Sequence, residues 1–235
     1  MLPLAILSGG YATRLGVLTR DLPKCLIEIN GRPFVDWQLE LLVANGYSDF
    51  VFCISYKSEM VRNHLGDGSR WGAKIQYSID GEMQLGTGGA IEKALPLLGD
   101  AFGVIYGDSY LPIDYLAVEL EFLKSNNYGM MTVFKNQNQF DTSNVEYLDG
   151  KLINYEKGLT DKRMHHIDYG LTYFQKKAFL SKSNELPLDL SSICHVLAKK
   201  KKLDAFEVFE RFYEIGSVKG IEEFSEYLRR TANDL

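Results

Sequence analysis

Three groups of residues near the start of the chain have the types and spacing needed to bind a polyphosphate. Ser8-Gly9-Gly10 follows the apolar run at residues 2–7, Arg14 comes shortly after it, and Lys24 follows Pro23. A glycine pair after a buried strand leaves peptide N–H groups open to an anion, because no side chain covers them. A forked guanidinium and a compact ammonium can then hold the same anion from a second side. This pattern predicts a triphosphate site.

The glycine pair alone is also compatible with a plain tight turn, since glycine turns end many strands. The chain contains neither the Walker motif G-x-x-x-x-G-K-[ST] nor the dinucleotide fingerprint G-x-G-x-x-G. Residues 9–24 as a whole, however, have the form G-G-x-x-T-R-L-x-x-L-T-x-x-x-P-K. This string resembles the signature of the sugar-phosphate nucleotidyltransferases, which join a nucleoside triphosphate to a sugar 1-phosphate. The family usually has Gly-x-Gly or Gly-Gly-x-Gly here, whereas this chain has Tyr11-Ala12.

The composition excludes several other classes of protein. With 235 residues the chain can bury a good core, and we expect a single domain over residues 1–235. The formal net charge of −5, with both signs mixed along the chain, predicts no nucleic-acid partner. The cysteines, Cys25, Cys53 and Cys194, form no C-x-x-C pair, so buried free thiols in a reducing compartment are expected. Without a membrane-spanning run or a basic leader, we expect a cytoplasmic protein and no membrane partner.

Hydrophobic periodicity predicts alternating strands and helices. Strands are expected at residues 2–7, 25–29, 50–55, 74–79, 102–108, 129–135 and 203–209, and helices at 34–45, 58–65, 88–95, 112–124, 188–200 and after Ser217. Residues 144–156 predict a hairpin with Asp149-Gly150 at its turn, and His165-His166 is expected in a solvated loop rather than in a metal site. The βαβ alternation predicts an α/β fold. We expect a Rossmann-like, doubly wound, mixed and mostly parallel sheet with helices on both faces and a ligand at the carboxyl ends of the strands.

Two later segments are placed to complete a nucleotide site. The small residues of Gly86-Thr87-Gly88-Gly89 suit either close helix packing or backbone contact with a base, and Gln84 is a candidate for reading a base edge. Asp108 ends a predicted strand, where a carboxylate either caps the next helix or binds the divalent cation that a triphosphate needs. Because the next helix is expected only from about residue 112, the metal is the favoured interpretation.

The family resemblance covers residues 2 to about 228 and implies a nucleotide-diphospho-sugar transferase fold with a role for each segment. The implied nucleotide contacts are Leu7, Ser8, Gly9, Gly10, Gln84, Gly86, Thr87 and Gly88. The implied catalytic residues are Arg14, Lys24 and Asp108. Asp108 and Glu214 would hold Mg²⁺, although the family motif D-I-G-T/S has Asp where this chain has Glu214. The nucleotide-binding part would span about residues 1–135.

The remaining part, about residues 136–235, would bind the sugar phosphate through Glu156, Lys157, Asp168 and Gly170. The short chain resembles the small guanylyltransferases acting on heptose or mannose 1-phosphate in surface-polysaccharide pathways, which implies GTP and a sugar 1-phosphate as partners. Two alternatives stay open. One is a cytidylyltransferase using an alcohol or amine phosphate; the other is a non-catalytic paralogue that binds a nucleotide sugar, favoured only by Tyr11 and Glu214. The oligomeric state is also open, a homo-oligomer included.

Overall fold

A computed structural model describes residues 1–9, 22–55, 57–81, 85–158, 161–180 and 186–233 of the chain. The strands in these residues are β1 (Leu4–Leu7), β2 (Glu28–Ile29), β3 (Arg32–Pro33), β4 (Asp49–Ile54), β5 (Lys74–Ile79), β6 (Ala101–Tyr106), β7 (Ser109–Tyr110), β8 (Gly129–Lys135), β9 (Val145–Leu148), β10 (Lys151–Tyr155), β11 (His166–Gln175), β12 (Leu203–Val208) and β13 (Tyr213–Glu214). The α-helices are α1 (Phe34–Ala44), α2 (Ser58–Leu65), α3 (Gly86–Ala94), α4 (Tyr115–Lys124), α5 (Leu190–Lys199) and α6 (Val218–Asn233).

Nine of these strands form one mixed sheet. Its order is β10-β9-β11-β6-β1-β4-β5, with β8 paired to β11 and β12 paired to β8. The run β6-β1-β4-β5, which ends at the edge strand β5, is parallel throughout, and β12 is parallel to β8. Strand β11 is antiparallel to its neighbours β6, β8 and β9, and β9 and β10 form the predicted hairpin. The predicted α/β fold with a mixed sheet is confirmed.

Helices cover both faces of this sheet. Leu4 and Ile6 of β1 pack with α1, α2 and α4 in one buried cluster, and Ala5 packs with α3 and α5 in another. The alternation follows from the two-residue period of a strand, and the central strands are apolar along their length because both faces are covered. A third cluster packs α6 against β2 and α1, with the rings of Phe34 and Phe224 5.3 Å apart. The segment before α6 is thereby held beside the N-terminal half.

The predicted strand at residues 25–29 is wrong over its first half. Lys24–Leu26 forms a 3₁₀ turn, and only Glu28–Ile29 is extended. The turn is closed by two hydrogen bonds, from Leu26 N to Pro23 O (2.9 Å) and from Ile27 N to Lys24 O (3.1 Å). The apolar residues of this run are buried in a turn, and burial alone does not distinguish a turn from a short strand.

Two other local predictions are also wrong. The helix expected from residue 112 begins at Tyr115, because the Asp114 carboxylate accepts a hydrogen bond from Ala117 N (3.0 Å) and caps the helix there. His166 lies in β11 rather than in a solvated loop; it is only 7% exposed, and its Nε2 lies 3.0 Å from Glu207 Oε1.

The three cysteines are buried free thiols, as predicted. The boundaries of α2, β5 and β8 agree with the sequence prediction. Ser217 caps α6 as expected, since its Oγ accepts a hydrogen bond from Gly220 N (3.0 Å). Among the described residues, no helix combines the length and apolarity required to cross a bilayer.

Candidate active site

A cavity of about 700 Å³ opens at the carboxyl ends of the central parallel strands. Its wall is formed by Leu7, Ser8, Gly9, Lys24, Cys25, Cys53, Ser55, Asp80, Leu85, Gly86, Thr87, Ala90, Tyr106, Gly107, Asp108 and Asp189. Seven of the predicted site residues line this wall: Leu7, Ser8, Gly9, Lys24, Gly86, Thr87 and Asp108. All of them except Lys24 lie close to a strand end or to α3. Gly88 is not part of the wall. Gly10, Arg14 and Gln84 lie outside the described residues.

The turn after β1 is fixed by hydrogen bonds to both neighbouring strands. Ser8 N donates to Cys53 O (2.8 Å), Gly107 N donates to Leu7 O (2.9 Å), and Ser55 Oγ donates to Gly9 O (2.5 Å). Gly107 is required here because a Cβ atom at that position would lie 2.0 Å from Ser8 Oγ. Ser8 Oγ is buried next to the Cys25 thiol, and a hydrogen bond between the two side chains opposes the rise that burial causes in the pKa of Cys25. Ser8 also lines the cavity.

Lys24 and Asp108 face each other across the cavity wall. Lys24 Nζ lies 2.5 Å from Asp108 Oδ2, and the two side chains are 21% and 30% exposed. The 3₁₀ turn presents Lys24, whereas Asp108 lies in the tight connection between β6 and β7. Gly216 lies close to the same ammonium, since a Cβ atom there would be 3.4 Å from Lys24 Nζ. The pair places one cation and one anion at the end of β6.

Glu214 lies beside Asp108 because the short strands β13 and β7 pair antiparallel, with Glu214 opposite Ser109. Ile215 N donates to Asp108 O (3.0 Å), which fixes the two backbones together. Solvent reaches the Glu214 side chain through the cleft, but the surrounding protein raises its pKa to about 7, mainly by desolvation and next by repulsion from Asp108. Lys24 acts in the opposite direction.

This pair of carboxylates fits a divalent cation. A bound cation would relieve the repulsion between these two carboxylates, whose oxygens are hard ligands. In nucleotide sites Mg²⁺ binds one or two carboxylates and completes its coordination shell with water and phosphates. Within the described residues no group of three or more His, Cys, Asp or Glu side chains is arranged to hold a metal alone.

The glycine turn at the start of α3 packs against the backbone that precedes α5. Gly88 N and Gly89 N both donate to Leu188 O, at 2.8 and 3.1 Å, and a Cβ atom on Gly86 would lie 2.5 Å from the same oxygen. Thr87 Oγ1 accepts a hydrogen bond from Leu190 N (2.8 Å). Close packing thus accounts for the small residues, while Gly86 and Thr87 also border the cavity.

The residues predicted for the sugar phosphate lie outside the cavity wall, on β11 and just after β10. Asn144 joins the two segments: its Oδ1 accepts a hydrogen bond from Asp168 N (2.9 Å), and its carbonyl accepts one from Glu156 N (3.0 Å). Gly170 N donates to Asp168 Oδ1 (3.1 Å). Burial raises the pKa of Asp168 to about 6, and this hydrogen bond and the charge of Lys157 oppose the rise.

The segment at Gly170 connects this region to the carboxylate pair. Gly170 has a φ of +108°, and a Cβ atom there would lie 3.8 Å from both Ser109 Oγ and Tyr106. Tyr106 ends β6 and Ser109 begins β7, so Gly170 lies next to the connection that carries Asp108. The charge of Asp168 also contributes to the raised pKa of Glu214. The predicted sugar-phosphate residues and the predicted metal ligands are therefore neighbours.

Residues 4–231 match the family model described as nucleotidyl transferase. The chain belongs to this family. The nucleotidyltransferase is 32% identical over 214 residues to the D-glycero-alpha-D-manno-heptose 1-phosphate guanylyltransferase of Campylobacter jejuni, a match that covers 90% of this chain and 93% of the relative. This confirms the resemblance to sugar-phosphate nucleotidyltransferases that the sequence predicts.

The relatives of the nucleotidyltransferase are named for more than one base. It is 37% identical over 113 residues to the N-acetylmuramate alpha-1-phosphate uridylyltransferase of Neisseria meningitidis, a match that covers 48% of this chain and 49% of the relative. The solved structure of HddC from Yersinia pseudotuberculosis complexed with GMP-PN has a TM-score of 0.79 and 24% identity, covering 97% of this chain and all of that chain. The last similarity is one of fold.

Several residues of the nucleotidyltransferase that border or support the site are missed by sequence reasoning. Asp80 follows β5 directly and lines the cavity; burial raises its pKa and Lys93 lowers it. Asp189 and Ser55 line the same cavity, and Asn144 holds the second region together. For Asp80 a signal exists, since an acidic residue beside a glycine at a strand end is the same pattern as Gly107-Asp108.

Proposed function

We propose that the protein transfers a guanylyl group from GTP to a heptose or hexose 1-phosphate, with release of pyrophosphate and formation of a GDP-sugar for surface polysaccharide synthesis. One observation carries the proposal: Lys24 and Asp108 form an ion pair in the wall of one cavity, beside the Ser8-Gly9 turn. Glu214 lies next to this pair, outside the cavity wall, through the pairing of β13 with β7. The nearly end-to-end similarity to a heptose 1-phosphate guanylyltransferase supports the choice of guanine and of heptose.

The reaction needs no strong base in this site. The attacking oxygen belongs to a phosphate that is already ionised near neutral pH, so the barrier comes from bringing two anions together and from the charge that builds on the leaving pyrophosphate. Positioning and electrostatic stabilisation must then supply most of the rate enhancement. A cavity that presents an ammonium group, Lys24, suits this task better than a histidine would.

The chain's own residues divide this work. The Ser8-Gly9 turn would approach the phosphates closely, with the Ser8 hydroxyl as a donor, and Arg14 would hold the β- and γ-phosphates. Lys24 would move its ammonium from Asp108 to the α-phosphate and neutralise charge there. Asp108 and Glu214 would hold Mg²⁺, which, when bound, supplies Lewis-acid polarisation of the phosphate oxygens. Removing one such electrostatic contact typically lowers kcat by about a hundredfold or more.

The sugar phosphate would be bound by the region around Asn144. Lys157 would pair with the phosphate, and the Asp168 carboxylate would accept hydrogen bonds from sugar hydroxyls. Glu156 and the backbone at Gly170 would complete the contacts. Because Gly170 packs next to Tyr106 and Ser109, a sugar phosphate in this position would have its phosphate directed toward Asp108.

The test is a pyrophosphate-release assay in which ATP, GTP, CTP, UTP and dTTP are each combined with heptose, mannose and glucose 1-phosphates and with phosphocholine. We expect release with GTP and a heptose or mannose 1-phosphate, and none when EDTA replaces Mg²⁺. Release with CTP and phosphocholine would overturn the proposal in favour of an alcohol-phosphate cytidylyltransferase. No release in any combination, with nucleotide sugars still bound, would indicate a non-catalytic paralogue.

A further inference from the structure

The Asp80 side chain is half-buried, and none of the functions described so far uses its carboxylate. It follows β5 directly and lines the cavity. Its Oδ1 is buried and has no hydrogen-bond partner among the described residues. The nearest cation, Lys93, donates instead to the backbone carbonyl of Asp80 (3.2 Å). Because a buried polar atom without a partner is costly, this oxygen is suited to a donor that a ligand supplies.

The sheet order gives the distance between Asp80 and the phosphate end of the cavity. Asp108 follows β6, Gly9 follows β1, Ser55 follows β4 and Asp80 follows β5, and these four strands are consecutive neighbours. Adjacent strands lie about 4.8 Å apart, so Asp80 is about 14 Å from Asp108 along the carboxyl edge. A nucleotide whose phosphates lie between Lys24 and the Ser8-Gly9 turn would therefore have its base near Asp80.

We propose that Asp80 selects guanine by accepting hydrogen bonds from its N1–H and its 2-amino group. This inference rests on the proposed use of a nucleoside triphosphate and specifies its base. Guanine presents two adjacent N–H donors on its Watson–Crick edge, which match the two oxygens of a carboxylate in a bidentate contact. Adenine and cytosine place an acceptor beside their amino group. Uracil and thymine place one N–H between two carbonyl groups, and the oxygens of these carbonyls repel a carboxylate.

Another role for a carboxylate in this cavity, binding of the ribose, makes a different prediction. A carboxylate that bound the ribose hydroxyls would not discriminate between bases. Asp189 is the matched control because it is another aspartate of the cavity wall, but it precedes α5 and its charge acts on Tyr106 at the end of β6. Asp189 thus lies on a different element of the cavity wall from Asp80.

The experiment compares GTP with inosine triphosphate, which lacks only the 2-amino group. Affinity is measured by calorimetry without sugar phosphate, and kcat/KM is measured with it, for the wild type, Asp80→Asn and Asp189→Asn. We expect the wild type to favour GTP over inosine triphosphate by about ten- to a hundredfold, the value of one hydrogen bond to a charged group. In Asp80→Asn the preference should fall to within about threefold, mainly through loss of GTP affinity, whereas Asp189→Asn should keep it.

Each contrary outcome has its own meaning. Equal losses of affinity for both nucleotides in Asp80→Asn would overturn the proposal and indicate a ribose contact. If only Asp189→Asn lost the preference for GTP over inosine triphosphate, the base contact would belong to Asp189 instead of Asp80. A wild type that binds UTP more tightly than GTP would overturn both this inference and the proposed guanylyl transfer. A wild type that binds GTP selectively through Asp80 but releases no pyrophosphate would support this inference and contradict the proposed reaction.

Discussion

The two regions that bear the candidate site residues are built on different principles. The nucleotide region lies at the carboxyl ends of four adjacent parallel strands, so the distances between its residues are set by the spacing between neighbouring strands. The second region uses β11 and the end of the hairpin strand β10, at the edge of the sheet, and Asn144 links its two segments. The difference teaches that the proposed phosphate contacts lie at the ends of parallel strands, whereas the proposed sugar-phosphate contacts divide between a buried antiparallel strand, β11, and the end of a hairpin at the sheet edge.

Asp108 and Asp168, one carboxylate from each region, differ in their partners. Asp108 has a direct ion pair with Lys24 at 2.5 Å. Asp168 has no ion-pair partner at that distance among the described residues, and burial raises its pKa to about 6. Asp108 therefore faces a cation before substrate arrives, whereas Asp168, like Glu214 and Asp80 in the first region, is charged at a cost in stability. A carboxylate held at a cost is expected where a ligand supplies the missing donors.

The largest expected effect lies in the nucleotide region. Asp108→Asn keeps the size of the side chain but removes the charge that faces Lys24 and would hold the cation. We expect kcat/KM for pyrophosphate release to fall by about a thousandfold or more, because a central electrostatic contact of the reaction is lost. Asp100→Asn is the control, since Asp100 is exposed and lies just before β6, at its opposite end. Activity within about tenfold of the wild type in Asp108→Asn would remove Asp108 from the catalytic residues.

A smaller and more selective effect is expected from Lys157→Ala. The KM for the sugar 1-phosphate should rise by about ten- to a hundredfold, because one charged contact to a phosphate is lost, while the KM for GTP stays within about threefold. Lys151→Ala, at the start of β10, is the control and should change neither constant. If the KM for GTP rose equally, the separation between the two regions would not hold.

The raised pKa of Asp168 predicts a trade between stability and substrate binding. Its folded pKa of about 6 lies above the ordinary value of 3.8, so the folded state binds the proton more tightly and stability is lost as pH rises from about 4 to about 6. Asp168→Asn should therefore raise the free energy of unfolding at pH 7.5 by about 1–2 kcal/mol, allowing for solvent access from the cleft.

Urea unfolding of Asp168→Asn and wild type at two pH values checks this prediction. The gain in stability should shrink to less than half at pH 4.5, where the wild-type carboxyl is protonated in the folded state. The same variant should raise the KM for the sugar 1-phosphate. A gain that is equal at both pH values would show that burial of the charge is not its cause.

The central strands and the residues at their ends could be predicted because their signals are local. The end of a strand can be recognised from the residues beside it, as where an apolar run is followed by Ser8-Gly9 or by Gly107-Asp108. A parallel sheet then brings the carboxyl ends of its strands to one edge. The order of the strands is not local. Asp80-Gly81 has the composition of an ordinary turn, and only the sequence β6-β1-β4-β5 across the sheet places it in the cavity wall.

Other parts of the site depend on contacts that no periodicity encodes. Glu214 reaches Asp108 through the pairing of two strands of only two residues each, β7 and β13, which are too short to show alternation. Asn144 acts through its side chain on Asp168, 24 residues away in sequence, across an irregular register between strands. Family resemblance supplied the first of these contacts, and nothing in the sequence pointed to the second.

The smallest effect is expected from Gly150→Ala, which tests whether the hairpin is energetically separate from the site. Gly150 has a φ of +77° in the turn between β9 and β10, and a Cβ atom there would meet nothing within 4 Å. The only cost is therefore the left-handed backbone, about 1 kcal/mol in the free energy of unfolding. If the hairpin only presents Lys157, then kcat and both KM values should stay within about twofold, and urea unfolding should show the loss. A change in kcat would mean that the hairpin turn is coupled to the carboxylates at the end of β6, so the two regions would act as one unit.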